Sequence, residues 1–273
     1  MNGRKAIVGL CLLCALLLSA IAVQSASAIK GTTAVTCKKG GGDTGGATFN
    51  EAHCKPSSPS GEWGHYKIAE NTTTELTGNN NGEPEKLKAT IGGVAVTFTA
   101  AGAEGTGWIE NKVDEDGEHY AHGRGTVVFT GITVAPFTKC FVYEDTAGGA
   151  VGTKGVIKTQ ELTATTKGQG DSLKLTPASG EVFKRFWILD QNKNGAGGEC
   201  TIPGTYVCSG SVIGVPDGAT GKTTHLGVTT QNTLKLGTGE PTIKAGIEGS
   251  VTLEGRANAG DTYKPVSVTT YET

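Results

Sequence analysis

Short segments in which apolar and polar residues alternate make up most of the chain beyond residue 82. The alternation is clearest over residues 94–99 and 251–254. A period of two places every second side chain on the same face of an extended strand, so each segment predicts a strand with one buried face. Outside the first 28 residues, no segment combines a helical period with capping residues. The pattern therefore predicts an all-β protein.

Turn residues separate these segments and join several of them as hairpins. Gly92-Gly93 and Asp116-Gly117 lie between alternating segments, and glycine tolerates the positive φ that tight hairpin turns require. Many short strands at close spacing are typical of a β-sandwich, with a jelly-roll-like arrangement or a barrel as alternatives. The predicted strands cover residues 34–38, 64–69, 86–91, 94–101, 106–112, 120–128, 127–129, 132–134, 139–144, 156–158, 161–166, 173–176, 181–189, 205–213, 225–229, 233–236, 243–247, 250–254 and 266–270.

The composition changes near residue 82 and suggests a division of the chain. Residues 29–81 contain clusters of glycine, serine and proline and only two predicted strands, so we expect a loop-rich N-terminal segment there. Residues 82–273 are expected to form the β-sandwich domain. A single domain that continues from residues 29–81 into the rest is the alternative.

The first 28 residues have the organisation of a cleavable export signal. Two cations at positions 4 and 5 precede an apolar run over residues 6–23, and Ala26-Ser27-Ala28 follows with the small side chains that signal peptidase admits. We predict cleavage after Ala28, which leaves a secreted, extracellular protein without a membrane segment. An uncleaved anchor is the alternative, although a spanning helix needs about 20 apolar residues and glycine and serine interrupt this run.

Charge and composition argue against two classes of partner. The chain has 24 lysines and arginines and 26 aspartates and glutamates; loss of the two cations of the signal leaves 22 against 26, a net charge near −4. Nucleic acids and anionic membranes call for a basic face, so we expect neither as a partner. The 43 glycines follow no G-X-Y period, and we expect them mainly in turns.

Five cysteines remain after cleavage, and outside the cell they are expected to oxidise. Cys37 and Cys54 are close in sequence and far from the others, which predicts a disulfide that adds about 3 kcal/mol in the chain-entropy model. Of the other three, Cys140 is expected to pair with Cys200 or Cys208. The mature cysteines have no C-x-x-C spacing, so we expect neither a zinc site nor a redox motif.

One segment resembles the first half of a calcium loop. Asp190, Asn192 and Asn194 place oxygen atoms at alternate positions before Gly195. The acid that should close such a loop falls on Thr201, so a polar hairpin loop is the alternative.

His119 and His122 form an H-x-x-H pattern on a predicted strand. Positions i and i+3 of a strand face opposite sides, so we expect the two rings not to hold one metal ion. We predict no metal and no cofactor.

No motif for catalysis stands out. The chain has no G-x-S-x-G sequence, and spacing alone does not pair two of the 26 acids as a glycosidase would need. Trp63, Tyr66, Trp108, Tyr120 and Trp187 are candidates for a platform that stacks on sugars, with core packing as the alternative.

Residues 88–97 (KATIGGVAVT) and 244–252 (KAGIEGSVT) are similar to each other. Both predict a strand, a glycine turn and a second strand. The likeness indicates either a duplicated hairpin or the common composition of β-hairpins.

Four further phrases, spread over most of the mature chain, occur together. They are GHYKI with TTTEL at residues 64–68 and 72–76, KATIGGV at 88–94, EHYAHG at 118–123 and GSVIGVP at 210–216. In these phrases the chain resembles a group of exported β-rich proteins of unknown function from soil actinobacteria. The resemblance implies a bacterial, secreted, non-enzymatic protein and carries over no catalytic residue.

These observations predict a secreted or cell-surface β-domain that serves as a non-catalytic binding or structural module of the cell envelope. Its expected partner is cell-wall polysaccharide or another surface protein. Two alternatives are a secreted carbohydrate-active hydrolase with a pair of carboxylates and a calcium-stabilised, adhesin-like domain.

Overall fold

The computed structural model describes residues 31–40, 49–50, 54, 58, 60–80, 82–146, 149–170, 172–216, 222–226, 233–238, 243–262 and 264–271. Within these residues the elements are twenty strands, so the predicted all-β class is confirmed. In chain order they are β1 (Gly31–Lys39), β2 (Trp63–Lys67), β3 (Thr74–Asn79), β4 (Glu85–Ile91), β5 (Val94–Ala100), β6 (Gly102–Val113), β7 (His119–Thr130), β8 (Thr133–Ala135), β9 (Phe141–Asp145), β10 (Val151–Lys154), β11 (Ile157–Lys158), β12 (Leu162–Thr165), β13 (Leu173–Pro177), β14 (Val182–Leu189), β15 (Gly204–Ser209), β16 (Val212–Pro216), β17 (Lys222–Leu226), β18 (Lys235–Thr238), β19 (Ile243–Arg256) and β20 (Lys264–Tyr271).

Eight of these strands close into a barrel. Each pairs antiparallel with the next, in the order β3, β6, β7, β12, β13, β16, β17 and β19, and β19 pairs with β3 again. Closure leaves no free edge along this ring of strands. The barrel alternative for the fold is therefore the arrangement found, with a half-barrel added to it.

The half-barrel is a second sheet in the order β10, β9, β14, β15, β18. Its last strand pairs with the first residues of β19, where Leu236 lies opposite Ile243. Strand β19 also pairs with β4, and β4 continues into β5 and β8. The single strand β19 thus belongs to both the barrel and the half-barrel.

The N-terminal residues are built into the barrel rather than set apart from it. Strand β1 pairs with β2, with β20 and, through Gly31 and Thr32, with β7. Strand β3 lies between β6 and β19. The described strands before residue 82 are therefore paired with strands from later parts of the chain.

Buried apolar side chains collect in two cores at opposite ends of the long strands β6 and β7. The large core lies between the half-barrel and strands β4, β5, β8, β12 and β16, and it contains Phe98, Phe186 and Leu236. The small core lies where β1 and β20 cover the barrel. Its buried members are Ala34, Ile68, Ile109, Ala121, Val266 and Val268.

Side-chain hydrogen bonds hold the small core together. The fully buried Asn111 accepts from the N–H of Ala34 at 2.7 Å and donates to the carbonyls of Ala34 at 2.9 Å and Ile68 at 2.7 Å. The hydroxyl of Thr166 accepts from the N–H of Ala121 and donates to the carbonyl of Thr32. These bonds give side-chain partners to the N–H groups of Ala34 and Ala121 and to the carbonyls of Thr32 and Ile68.

Two disulfides cross-link the chain, and they are compatible with an extracellular protein. Cys37 is bonded to Cys54, and Cys140 is bonded to Cys200. Of the two alternatives open to Cys140, the structure contains the pairing with Cys200. Cys208 is a free thiol.

The predicted export signal at residues 1–28 lies outside the described residues. Among the residues that are described, no helix has the length and apolar character needed to cross a membrane.

The two similar segments at residues 88–97 and 244–252 are not two hairpins. The first forms β4 and β5 with Gly92-Gly93 at the turn, whereas the second lies within the uninterrupted strand β19. The two segments pair with each other instead, with Ala89 opposite Ala245. Gly249 has a φ of 149°, so the backbone stays extended where a turn was predicted.

Candidate functional site

Five glycines lie on the inner face of the barrel. Gly105 and Gly107 of β6 are two residues apart, and Gly123 and Gly125 of β7 lie opposite Ile109 and Gly107; Gly78 of β3 lies opposite Gly105. The inward side chains of an eight-stranded barrel are normally just large enough to fill it. Glycines at these positions therefore leave space inside.

A cavity of about 110 Å³, called the barrel cavity below, lies beside these glycines. Its lining is apolar apart from a few threonines and Arg124. The larger side chains of the wall are Leu76, Ile109, Val127, Leu162, Leu173, Leu175 and Leu253.

The glycines also allow β6 and β7 to approach and coil. A Cβ on Gly107 would lie 2.1 Å from the carbonyl oxygen of Arg124, and one on Gly125 would lie 2.6 Å from that of Thr106. A Cβ on Gly105 would instead make ordinary contacts, the nearest at 3.6 Å. Gly105 can therefore accept a side chain where Gly107 and Gly125 cannot.

A second cavity, of about 130 Å³ and called the core cavity below, lies within the large core. Six of its apolar side chains are only partly buried although they face the core, because the cavity leaves part of their surface uncovered. These are Leu87, Val127, Phe129, Ile157, Leu175 and Ile247. Buried rings of Phe98, Phe183 and Phe186 complete the wall.

The two cavities are neighbours. Val127, Leu162 and Leu175 line both of them, so these three side chains form the partition. Leu162 lies opposite Gly125 in the register of β12 and β7. Gly125 has no side chain, so Leu162 faces open space on that side.

Three polar side chains and one thiol lie on the wall of the core cavity. They are Glu85, Thr159, Lys184 and Cys208. Burial raises the pKa of the Cys208 thiol to about 12. The thiol is therefore protonated at neutral pH and behaves as a small apolar group rather than as a nucleophile.

Glu85 is the first residue of β4 and is almost completely buried. Its carboxylate lies against the backbone of Gly249, where a Cβ would come within 2.3 Å of a carboxylate oxygen. The extended, positive-φ backbone of Gly249 thus makes room for this carboxylate in the wall of the core cavity.

Asp190 follows β14 and holds the next loop by hydrogen bonds. Its Oδ1 accepts from the N–H of Asn192 at 2.9 Å and of Asn194 at 2.7 Å, and its Oδ2 accepts from the Asn194 amide and the N–H of Glu199. The bond from the Asn194 backbone is the main reason that the pKa of Asp190 lies below its usual value. Carboxylate oxygens that face N–H groups favour a closed polar loop over a calcium site.

His119 and His122 have different neighbours. The Nδ1 atom of His119 lies 2.9 Å from Glu70 Oε1 and 3.0 Å from Lys67 Nζ. The ring of His122 packs edge-on against Trp108 with centroids 5.6 Å apart, and burial lowers its pKa. The contacts of the two rings are thus with different side chains. No group of three or more metal-ligand side chains gathers anywhere in the described residues.

The five aromatic residues considered for sugar stacking do not form one platform. Trp63 and Tyr66 belong to β2, Trp187 belongs to β14, and Trp108 and Tyr120 lie on β6 and β7. Among the described residues, no ring contact joins any two of the five. Trp108 and Tyr120 do share the outer face of the β6–β7 pair, with His122 between them.

The residues that create the two cavities were missed in the sequence. A signal was present: Gly105-x-Gly107 and Gly123-x-Gly125 repeat with the strand period inside two predicted strands. Glycines in turns are not expected to recur at every second residue, whereas glycines on the inner face of a barrel strand are. No comparable signal marked Asn111, because a polar residue in a strand is expected on the solvent side.

The fold and these cavities define the class to which the protein belongs: an all-β protein in which a closed barrel and an adjoining half-barrel enclose apolar space. Comparison of the chain with protein-family models, with curated proteins and with solved structures found no match.

Proposed function

We propose that this chain is a secreted bacterial binding module, without catalytic activity, that takes up a small apolar molecule in the core cavity. The observation that carries the proposal is the core cavity itself, with its phenylalanine, leucine, isoleucine and valine wall. A water molecule needs two to four polar partners, so an apolar cavity of this kind disfavours water. An engineered cavity of about 150 Å³ with a similar wall binds benzene or xenon.

The architecture supports the same proposal. Eight-stranded barrels are either filled by their own side chains or hold one small ligand. Glycines on the inner face of this barrel prevent the first outcome.

The hydrolase alternative has less support. A glycosidase requires two carboxylates on either side of the scissile bond. Among the described residues that line the two cavities, Glu85 is the one carboxylate.

The test is the response of thermal stability to benzene. A ligand that binds only the folded state at 100 times its Kd stabilises that state by about 2.7 kcal/mol. We expect benzene to raise the melting temperature of the wild-type protein, and we expect Ala100→Leu to abolish the rise because Ala100 lines the core cavity. Ala101→Leu is the matched control, since Ala101 is exposed on the other face. A wild-type melting temperature that does not respond to benzene would contradict the proposal.

A second candidate function is glycan binding on the outer face of β6 and β7. Trp108, His122 and Tyr120 are half-buried there, beside Glu110 and Lys112. Aromatic faces next to polar groups suit sugar rings. Retention on insoluble cell-wall glycans that Trp108→Ala abolishes would support this function, and retention that Trp108→Ala leaves unchanged would reject the site.

A further inference from the structure

We infer that the core cavity and the barrel cavity act as one channel, and that the ligand is a single unbranched alkyl chain of the kind found in a fatty acid. The inference rests on the proposed function and names the class of ligand. Its basis is the partition of Val127, Leu162 and Leu175, which is one side chain thick.

The partition can open without movement of the backbone. Leu162 faces Gly125 across the strand pair, and Leu175 pairs with Ala164 of β12. On these sides the facing residues are small and leave room for the leucine side chains to change rotamer, whereas Pro177 lies opposite Leu162 and Val212 opposite Leu175 on their other sides. Such side-chain changes are fast compared with any motion of the sheet.

The far end of the channel is closed. Ile109 lines the barrel cavity, and Asn111, the next inward-facing residue of β6, is tied to the backbone of β1. A chain that enters through the core cavity therefore ends near Ile109. A channel with one closed end limits the length of the chain that it accepts.

The shape of the channel favours a straight chain over a ring system. The wall formed by Gly105, Gly107, Gly123 and Gly125 carries no side chains, and the leucines face it from β12 and β13. A slot between a bare strand pair and a row of leucines fits one alkyl chain. A fused-ring molecule or a branched chain would meet the partition of Val127, Leu162 and Leu175.

The test measures the affinity of a series of straight-chain fatty acids of increasing length. Each added methylene that becomes buried should tighten binding about fourfold. We expect this increase to continue while the chain passes through the core cavity and the barrel cavity, and to stop when the chain reaches the closed end. A branched acid with the same number of carbons should bind more weakly than its straight isomer.

Gly105→Leu separates the two cavities experimentally. A Cβ at Gly105 would meet no atom closer than 3.6 Å, and the position faces the barrel cavity, so we expect the leucine side chain to extend into that cavity. We expect this variant to bind short acids as the wild type does and to lose the gain in affinity for long ones. Gly195→Leu is the matched control, because a Cβ there would meet no atom within 4 Å. Gly105→Ala, a smaller change, repeats the test with a partial effect if the leucine variant does not fold.

The outcomes distinguish the inference from the proposal beneath it. If benzene and short acids bind but affinity neither rises with chain length nor responds to Gly105→Leu, the channel is rejected and the binding function stands. If neither benzene nor any acid binds the wild-type protein, both are rejected.

Discussion

The large core and the small core lie at opposite ends of β6 and β7, yet different side chains hold them. In the large core, Phe186 packs edge-on against Phe98 and stacks on Tyr206, with centroids 5.8 Å and 5.9 Å apart. In the small core, Asn111 and Thr166 form hydrogen bonds to the backbone of neighbouring strands.

The difference follows from the size of the side chains in the two cores. Where β1 and β20 cover the barrel, two of the six buried apolar residues are alanines, Ala34 and Ala121, and buried backbone groups need side-chain partners. Where the half-barrel covers the other end, the core contains aromatic rings, but rings of fixed shape do not fill it completely. One end is thus held by polar side chains that bond to the backbone, and the other is apolar and incompletely filled, although both lie on the same strands.

The largest expected effect is at the polar end. Asn111→Ala leaves the buried N–H of Ala34 and the carbonyl of Ile68 without their Asn111 partner, while the Ala34 carbonyl keeps the N–H of Ile68, and each orphaned group costs about 1–3 kcal/mol. We expect the free energy of unfolding to fall by about 4 kcal/mol in denaturant titrations. Asn192→Ala, in an exposed loop, is the control and should change it by less than about 0.5 kcal/mol. An Asn111→Ala variant as stable as the control would show that these hydrogen bonds do not hold the small core.

The two disulfides allow the stability of the two ends to be compared directly. Cys140–Cys200 closes a separation of 60 residues beside the large core, and Cys37–Cys54 closes one of 17 residues next to β1. The chain-entropy model assigns about 4 kcal/mol to the first and about 3 kcal/mol to the second. We therefore expect the Cys140→Ser, Cys200→Ser double variant to melt at a lower temperature than the Cys37→Ser, Cys54→Ser double variant. The reverse order would mean that strain or residual structure outweighs loop length.

Gly105 and Gly107 of β6 lie between the two cores and test how closely β6 and β7 approach each other there. Gly107→Ala forces its Cβ against the carbonyl of Arg124 and should cost about 2 kcal/mol as overpacking does. Gly105→Ala adds the same methyl to the same face without a clash and should change stability by less than about 0.5 kcal/mol. Equal losses of stability in the two variants would indicate an effect of alanine on strand propensity rather than a clash with the neighbouring strand.

The smallest expected effect is the pH dependence that Asp190 contributes on the large-core side. The folded-state pKa of Asp190 lies below its usual 3.8, so the unfolded chain binds a proton more readily than the folded one. Its contribution to stability is therefore complete above about pH 4 and is lost as the pH falls through the lower, folded-state pKa. We expect Asp190→Asn to flatten the acid limb of a plot of unfolding free energy against pH, while Asp116→Asn, in the exposed β6–β7 turn, leaves it unchanged. If Asp190→Asn keeps the wild-type dependence of unfolding free energy on pH, other carboxylates cause the acid sensitivity.

Much of the strand content could be predicted because alternation is a local property. Strands β4 to β7 and their glycine turns lie where the pattern placed them. Strand β3 was missed because Leu76 is its one large apolar residue, and β3 exists through pairing with β6 and β19 rather than through its own pattern. Residues 205–213 were predicted as one strand, but Gly210, with a φ of 108°, separates β15 from β16.

The candidate site was less predictable than the fold. Beyond the Gly-x-Gly repeats that line the barrel cavity, neither cavity has a sequence motif, since each is formed by residues from many strands brought together by barrel closure. Closure depends on pairs such as β19 with β3, which are distant in sequence and leave no local signal. The Asp190 loop shows the opposite case: its oxygen pattern was visible in the sequence, but the N–H groups that the carboxylate accepts from were not.

The pairing of β1 with β20 affects the order of events when the chain is made. Gly31 lies opposite Tyr271, so one of the first described strands finds its partner only among the last. Synthesis proceeds from the N-terminus, and elements formed early usually fold early. Here β1 stays without that partner until β20 has emerged, and the cover of the barrel forms only then. For the secreted protein proposed above, this arrangement delays the native state until β20 has crossed the membrane.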